Sequence, residues 1–301
     1  MSQPARVAPV ELLRALAVLG EPPSGEHGAV AAAVGLGDPP DGHAYATVFV
    51  FNLYPYASVH MGPEGMLGGE ARDRVAGFWR AVGRAPPAEP DHLSALLGLY
   101  VSLLEEAGDR DGPERTLSLR SAVALLHEHL APWAPAFLER VARDAPGFYG
   151  RWAGLLEQTL RSELAWAGEP RALPAHLREA PPLPDPREGD AGAFLPALLA
   201  PVRSGMIVTR SDLARMARSL GLGARLGDRR RVLESLMAVE PEDVLRALAD
   251  HAREAEAAHA AREPTLGPAA SFWRDRCRRT ARLLTELANE AHAGVRPGDL
   301  P

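Results

Sequence analysis

Few residues in this chain have types and spacings suited to chemistry. His127-Glu128-His129 is the densest cluster of metal-ligand types. On an α-helix, residues two apart point roughly 200° away from each other, so two such imidazoles cannot share one ion. The His-Glu-x-x-His spacing that would put two histidines on one face is absent, and no metal is expected here. Glu89 and Asp91 flank Pro90 and carry the groups of a general acid and base. The same residues also read as a helix start, with Asp91 as N-cap and Glu89 favoured by the positive end of the helix dipole. No Gly-x-Ser-x-Gly elbow occurs, and no Gly-x-Gly-x-x-Gly follows a strand. All 33 basic positions are arginine, which removes a P-loop lysine, a Schiff base and a lysine general base. The lone cysteine, Cys277, excludes an internal disulfide, a cysteine-held zinc site and an iron–sulfur cluster held by this chain alone. These exclusions favour a binder over an enzyme, with no cofactor of its own.

Charge and aromatics suggest what is bound. The net charge is −6. Residues 1–150 hold 18 acidic and 11 basic side chains, and residues 151–301 hold 21 and 22. An acidic half suits a basic partner and argues against broad nucleic-acid binding. The densest basic cluster is Arg225, Arg229, Arg230 and Arg231. With Ser211-Asp212-Leu213-Ala214-Arg215-Met216-Ala217 it leaves an alternative open, a helical DNA-binding regulator acting through residues 205–235. A solvated helix face paired with Asp228 and Glu234 explains the same residues. Tyr54, Tyr56, Trp79, Tyr100, Trp133, Phe137, Phe148, Tyr149 and Trp152 fall within one hundred residues. Most suit a core, and a subset beside Pro/Gly bends suits an apolar groove for a peptide.

The elements that must position these residues read as helices throughout. Val10, Leu13, Leu16 and Leu19 form one face. Val75, Phe78, Trp79 and Val82 form another, as do Leu93, Leu96, Leu97, Tyr100, Leu103 and Leu104. The run Tyr45–Phe51 has strand-like composition but nothing to pair with, so a buried helix is expected. Six prolines within 168–190 mark a linker. Thr209-Arg210-Ser211-Asp212 predicts a capping box, and helices are expected over about 227–237, 241–261 and 268–293. The fold class is all-α, with domain 1–167, linker 168–190 and helical extension 191–301. No membrane span is expected, and the N-terminus lacks the apolar run of a secretory signal, so a cytoplasmic location is expected.

Three stretches resemble one family. Glu89-Pro90-Asp91-His92-Leu93 is similar to the Glu-Pro-x-Asp-His signature of TorD/DmsD/NarJ-like molecular chaperones, the redox enzyme maturation proteins, though one residue tighter. Leu126–Phe137, followed by Ala145-Pro146-Gly147-Phe148-Tyr149, resembles that family's helix-end motif. Tyr54-Pro55-Tyr56-Ala57-Ser58, running into Gly65-Met66-Leu67-Gly68, resembles the segment ahead of its middle helices. The resemblance covers about residues 40–165. It implies a TorD-like helical bundle and a non-catalytic cytoplasmic chaperone. Such a chaperone binds the leader, often twin-arginine, and the apo form of a molybdopterin-dependent oxidoreductase subunit, assists cofactor insertion and delays export. A homodimer by helix exchange through 168–190 is a further implication. On this basis the client-binding residues are expected among Tyr54, Tyr56, Trp79, Tyr100 and Trp133, with Glu89, Asp91, His92, Glu128 and His129 supplying polar contacts.

Overall fold

Proline and glycine divide the chain into helices of very different length. The computed structural model describes Arg6 and residues 8–170, 172–223 and 227–294; Arg225 of the basic cluster lies outside them. Among the described residues there is no β-strand, and no helix is long and apolar enough to cross a membrane. The described residues form two units. One holds residues up to Ser58, Leu67–Ala175 and Thr265–Gly267. The other holds Val59–Met66, His176–Pro264 and the chain from Pro268 onward. The sequence boundary at 175/176 lies within the proline-rich stretch.

The first unit contains α1 (Val10–Leu19), α2 (His27–Ala33) and α3 (Gly42–Tyr45), which runs directly into a π-helical turn, Ala46–Val50. Helix α4 (Ala57–Met61) leads out of it. Then come α5 (Gly69–Ala81), α6 (Leu93–Asp109), α7 (Gly112–Leu125), a second π-helical turn (Leu126–Leu130), α8 (Ala134–Asp144) and α9 (Phe148–Ala167). The 45–51 run is helical, as expected, but only partly buried. Phe49 points inward, with its ring 4.7 Å from Tyr149 and 5.8 Å from Trp152, while Val50 and Phe51 are about half exposed. One short turn cannot aim three successive apolar side chains at the same side.

Helix α1 packs on α6 and α9, α6 on α7, and α8 on α9. Leu13 and Leu16 of α1, Leu96 and Leu97 of α6, and Leu156 and Leu160 of α9 are buried in that core. Distant elements share polar contacts inside it. The Trp152 indole donates to the Leu16 carbonyl at 2.9 Å. The Tyr100 hydroxyl donates to Glu163 at 2.7 Å, and Arg6 donates to the same carboxylate oxygen at 2.7 Å. A fully buried carboxylate needs such donors to remain in the core.

The second unit contains α11 (Ala191–Leu198), α12 (Pro201–Ser204), α13 (Arg210–Ser219), α14 (Arg229–Val239), α15 (Pro241–Leu266) and α16 (Pro268–His292), after a short α10 (Ala175–Glu179). The predicted capping box is present. Asp212 donates its backbone N–H to the Thr209 hydroxyl at 3.1 Å, and its carboxylate accepts the Thr209 N–H at 2.8 Å. Helices α15 and α16 pair in opposite directions, through Glu242–His292, Arg253–Thr285, Glu256–Arg278 and Glu263–Arg274. Gly205 ends α12 in the left-handed region at φ +87°, and a Cβ there would lie 2.5 Å from the Cys277 nitrogen. Only glycine allows that approach. The Gly205 carbonyl then accepts from His259 at 3.2 Å and from the Cys277 thiol at 3.0 Å. The segment 180–182 is tethered rather than a free spacer. Arg276 donates to the Ala180 and Pro181 carbonyls, and Arg203 donates to Pro182.

Burial holds His259 neutral, pushing its pKa down to about 4, although the bond to Gly205 opposes the shift. Below the ordinary value near 6.5 the unfolded chain takes up a proton that the folded chain refuses. The stabilising contribution is therefore complete above pH 6.5, falls as pH drops toward 4, and levels off below it. Urea denaturation across this range should show the loss in the native protein. The native-minus-variant difference for His259→Gln should carry the same slope.

Candidate functional site

Two remote stretches meet as backbone. Tyr54-Pro55-Tyr56 leaves the first π-helical turn extended and meets the chain entering α6. Leu93 donates its N–H to the Pro55 carbonyl at 2.8 Å, and Ala57 donates to the Asp91 carbonyl at 2.9 Å, giving an antiparallel bridge between Tyr56 and His92. The Asp91 carboxylate, 2% exposed, accepts the Ser58 N–H at 3.0 Å. It therefore serves the first turn of α4, where a negative charge meets the free N–H groups of a helix start. This corrects the expectation that Asp91 caps α6. That cap is His92, whose Nδ1 accepts the Ser94 N–H at 3.2 Å. Nδ1 must be unprotonated to accept, and burial lowers the His92 pKa in the same sense, against the pull of Glu89 and Asp91.

Helix α5 holds the loop ahead of α6. Arg72 donates to the Ala88 carbonyl at 3.0 Å, and the Trp79 indole donates to the Pro90 carbonyl at 3.1 Å. Between these anchors Glu89 is exposed, and the Tyr56 hydroxyl donates to it at 2.9 Å. The Tyr56 ring meets the His92 ring edge-on at 4.9 Å. Burial and then Glu89 raise the Tyr56 pKa, so this hydroxyl stays protonated and donating. Tyr45 also feels the Glu89 charge after the larger effect of burial, its pKa pushed up to about 12. Glu89 is thus a carboxylate beside aromatic rings on anchored backbone. Carboxylates and aromatic rings are the groups that a guanidinium bonds and stacks on.

The second motif joins through the neighbouring residue of α5. Phe78 meets His129 edge-on, with centroids 5.0 Å apart. The His129 carbonyl accepts the Trp133 indole N–H at 2.7 Å. Glu128 accepts the Ala175 N–H at 3.2 Å, and burial lowers the pKa of His127. Phe78 and Trp79 therefore connect the 126–133 stretch with the 89–92 stretch.

The structure brings Tyr56, Trp79, Glu89, Asp91 and His92 together, with His129 reached through Phe78. Tyr54 is half-buried at the entry to the bridge. Tyr100 and Trp133, expected on a groove, are instead core residues at 0% and 1% exposure. Tyr100 is turned inward to Glu163, and Trp133 packs on Phe137 at 5.6 Å. Tyr45 and Phe78 are not marked as site residues by the sequence. Each lies inside a helical run, where an aromatic side chain reads simply as core. In the basic cluster, Arg229 donates to the Val208 carbonyl, Arg230 pairs with Glu234 at 2.7 Å and Arg231 with Asp228 at 3.4 Å.

Residues 43–139, roughly a third of the chain, match a family model described as nitrate reductase delta subunit, of the NarJ/TorD chaperone type. The matched span contains the Tyr56–His92 bridge, α5 and the 126–133 stretch. No curated protein matches the chain.

Asp91→Ala should leave the Ser58 N–H without its acceptor in a buried setting, costing about 1–3 kcal/mol. Asp91→Asn keeps an acceptor oxygen and should cost less. Urea denaturation midpoints of the two variants check the order.

Proposed function

Proceeding from a NarJ/TorD-type chaperone segment at residues 43–139, we propose that the protein is a cytoplasmic redox-enzyme maturation chaperone. Its client is the catalytic subunit of a molybdopterin-dependent oxidoreductase, which it binds by the N-terminal leader and holds while the client's cofactor is inserted. It acts by binding, not by catalysis. The observation that carries the reading is Glu89, exposed beside the Tyr56 hydroxyl and fixed by the Arg72 and Trp79 bonds on either side.

A twin-arginine leader presents guanidinium groups followed by an apolar stretch. Glu89 accepts a guanidinium fork with Tyr56 beside it, and the acidic first half of the chain draws such a segment in. The apolar stretch needs apolar surface, and Val50 and Phe51 expose it on the helical run that carries Tyr45. Asp91 and His92 act here as positioning residues. Both are buried and bonded to backbone, and their bonds set the path of the chain that presents Glu89. Release follows when the folded, cofactor-loaded client withdraws its leader, which requires modest affinity at the leader site.

The protein purified from its own host should bring down a molybdopterin-binding subunit identifiable by mass spectrometry. A titration with that subunit's leader peptide should then weaken about tenfold or more in Glu89→Gln, the equivalent of one charge-assisted hydrogen bond at 1.5–3 kcal/mol. Unchanged affinity in Glu89→Gln would overturn the site assignment. Recovery of no such subunit would overturn the chaperone reading itself.

A further inference from the structure

The second unit contains a cavity of about 240 Å³ between the proline-rich segment and α16, and five arginines line it: Arg187, Arg203, Arg276, Arg279 and Arg282. This is far more room than the roughly 10–15 Å³ that admits one water. Their charges are unevenly compensated. Arg187 draws the nearby carboxylates to itself, bonding Asp185 at 2.6 Å, Glu286 at 3.0 Å and Glu290 at 2.7 Å. Arg282 reaches Glu286 at 3.8 Å.

Arg203 and Arg276 have only neutral acceptors among the described residues. Arg203 bonds the Pro182 carbonyl, and Arg276 bonds those of Ala180 and Pro181 while its guanidinium lies 4.9 Å above the Phe272 ring. Those bonds fix the direction of the two guanidiniums without cancelling their charge, and each retains further N–H donors. Arg279 has no hydrogen-bond or ion-pair partner among the described residues. Burial lowers the Arg203 pKa, with Glu64 offsetting part of the effect. Burial lowers that of Arg276 as well, and the charges of Arg279 and Arg203 lower it further. Like charges held together in this way are costly unless an anion joins them.

We propose that this cavity binds a small, multiply charged phosphate anion of the diphosphate type, held by Arg203, Arg276 and Arg279. Two guanidiniums fixed in direction and a third, Arg279, free to close on a ligand match an anion with more than one negative charge and oxygens on several sides, and the guanidinium fork suits phosphate oxygens. Arg187 sets the wall rather than the ligand contact, because Asp185, Glu286 and Glu290 already match its charge. The site lies outside the span matched to the chaperone family, and the inference does not depend on the leader-binding proposal.

Isothermal titration of the full chain with inorganic pyrophosphate at fixed ionic strength tests it. One saturable site is expected, with orthophosphate binding more weakly. Arg279→Gln removes an exposed side chain without a partner among the described residues and should weaken binding at least tenfold without lowering thermal stability in the absence of ligand. Arg230→Gln, on α14, should bind as the native protein does. The proposal is overturned if pyrophosphate gives no saturable heat, if orthophosphate binds equally well, if Arg279→Gln binds normally, or if Arg230→Gln weakens binding as much.

Discussion

Everything around the candidate site depends on the backbone exchange between residues 55–57 and 91–93. Two main-chain hydrogen bonds there join a segment leaving a π-helical turn to the start of α6, and the buried Asp91 carboxylate adds a third bond, to Ser58. A single antiparallel bridge of this kind is not stable by itself. It is stable here because each end continues into a helix whose first turn uses the same residues, α4 through Asp91 and α6 through His92. Breaking one bond therefore loosens both helix starts. Glu89 is exposed two residues ahead of Asp91, so its position depends on this pairing and on the two bonds from α5.

Helices were legible wherever one apolar face repeats over several turns. Leu13, Leu16 and Leu19 indicated α1, and the Thr209-Arg210-Ser211-Asp212 capping box indicated the start of α13. The partners of the site residues were not legible, because they lie far away in sequence. Nothing near Asp91 indicates that its acceptor oxygen serves Ser58 rather than α6. Tyr100 shows the same limit from the other side. Its place on α6 was clear, but its inward direction depends on Glu163 of α9, a carboxylate whose own sequence surroundings look like an ordinary amphipathic helix. Aromatic residues are especially ambiguous in this respect, since a tyrosine suits a core with a buried acceptor as well as a groove wall.

The second unit uses charge differently. In the first, one oxygen of the buried Glu163 carboxylate accepts from Tyr100 of α6 and from Arg6 ahead of α1. In the second, Gly205 brings backbone against α16 so closely that its carbonyl serves both His259 and Cys277. Arg276 of α16 and Arg203 of α12 then reach carbonyls of the proline-rich segment. Proline leaves its carbonyl free while removing an N–H, so a proline-rich stretch presents acceptors with few competing donors. An arginine-rich helix is a natural partner for it, and the composition bias of this chain supplies both.

The way the chain divides has a consequence for its synthesis. Residues 59–66 belong to the second unit although they precede most of the first, and a Cβ on Gly65 would lie 2.7 Å from the Ala200 Cα. As the polypeptide emerges from the ribosome, this short segment is made early and its packing surface much later. Contacts of such sequence separation close slowly. Helices α5 to α9 emerge in the interval, so Met61 and its neighbours remain without their final surroundings until the segment around Ala200 has been translated. The second unit is thus not a module appended behind a finished one, because an early part of the message is already committed to it.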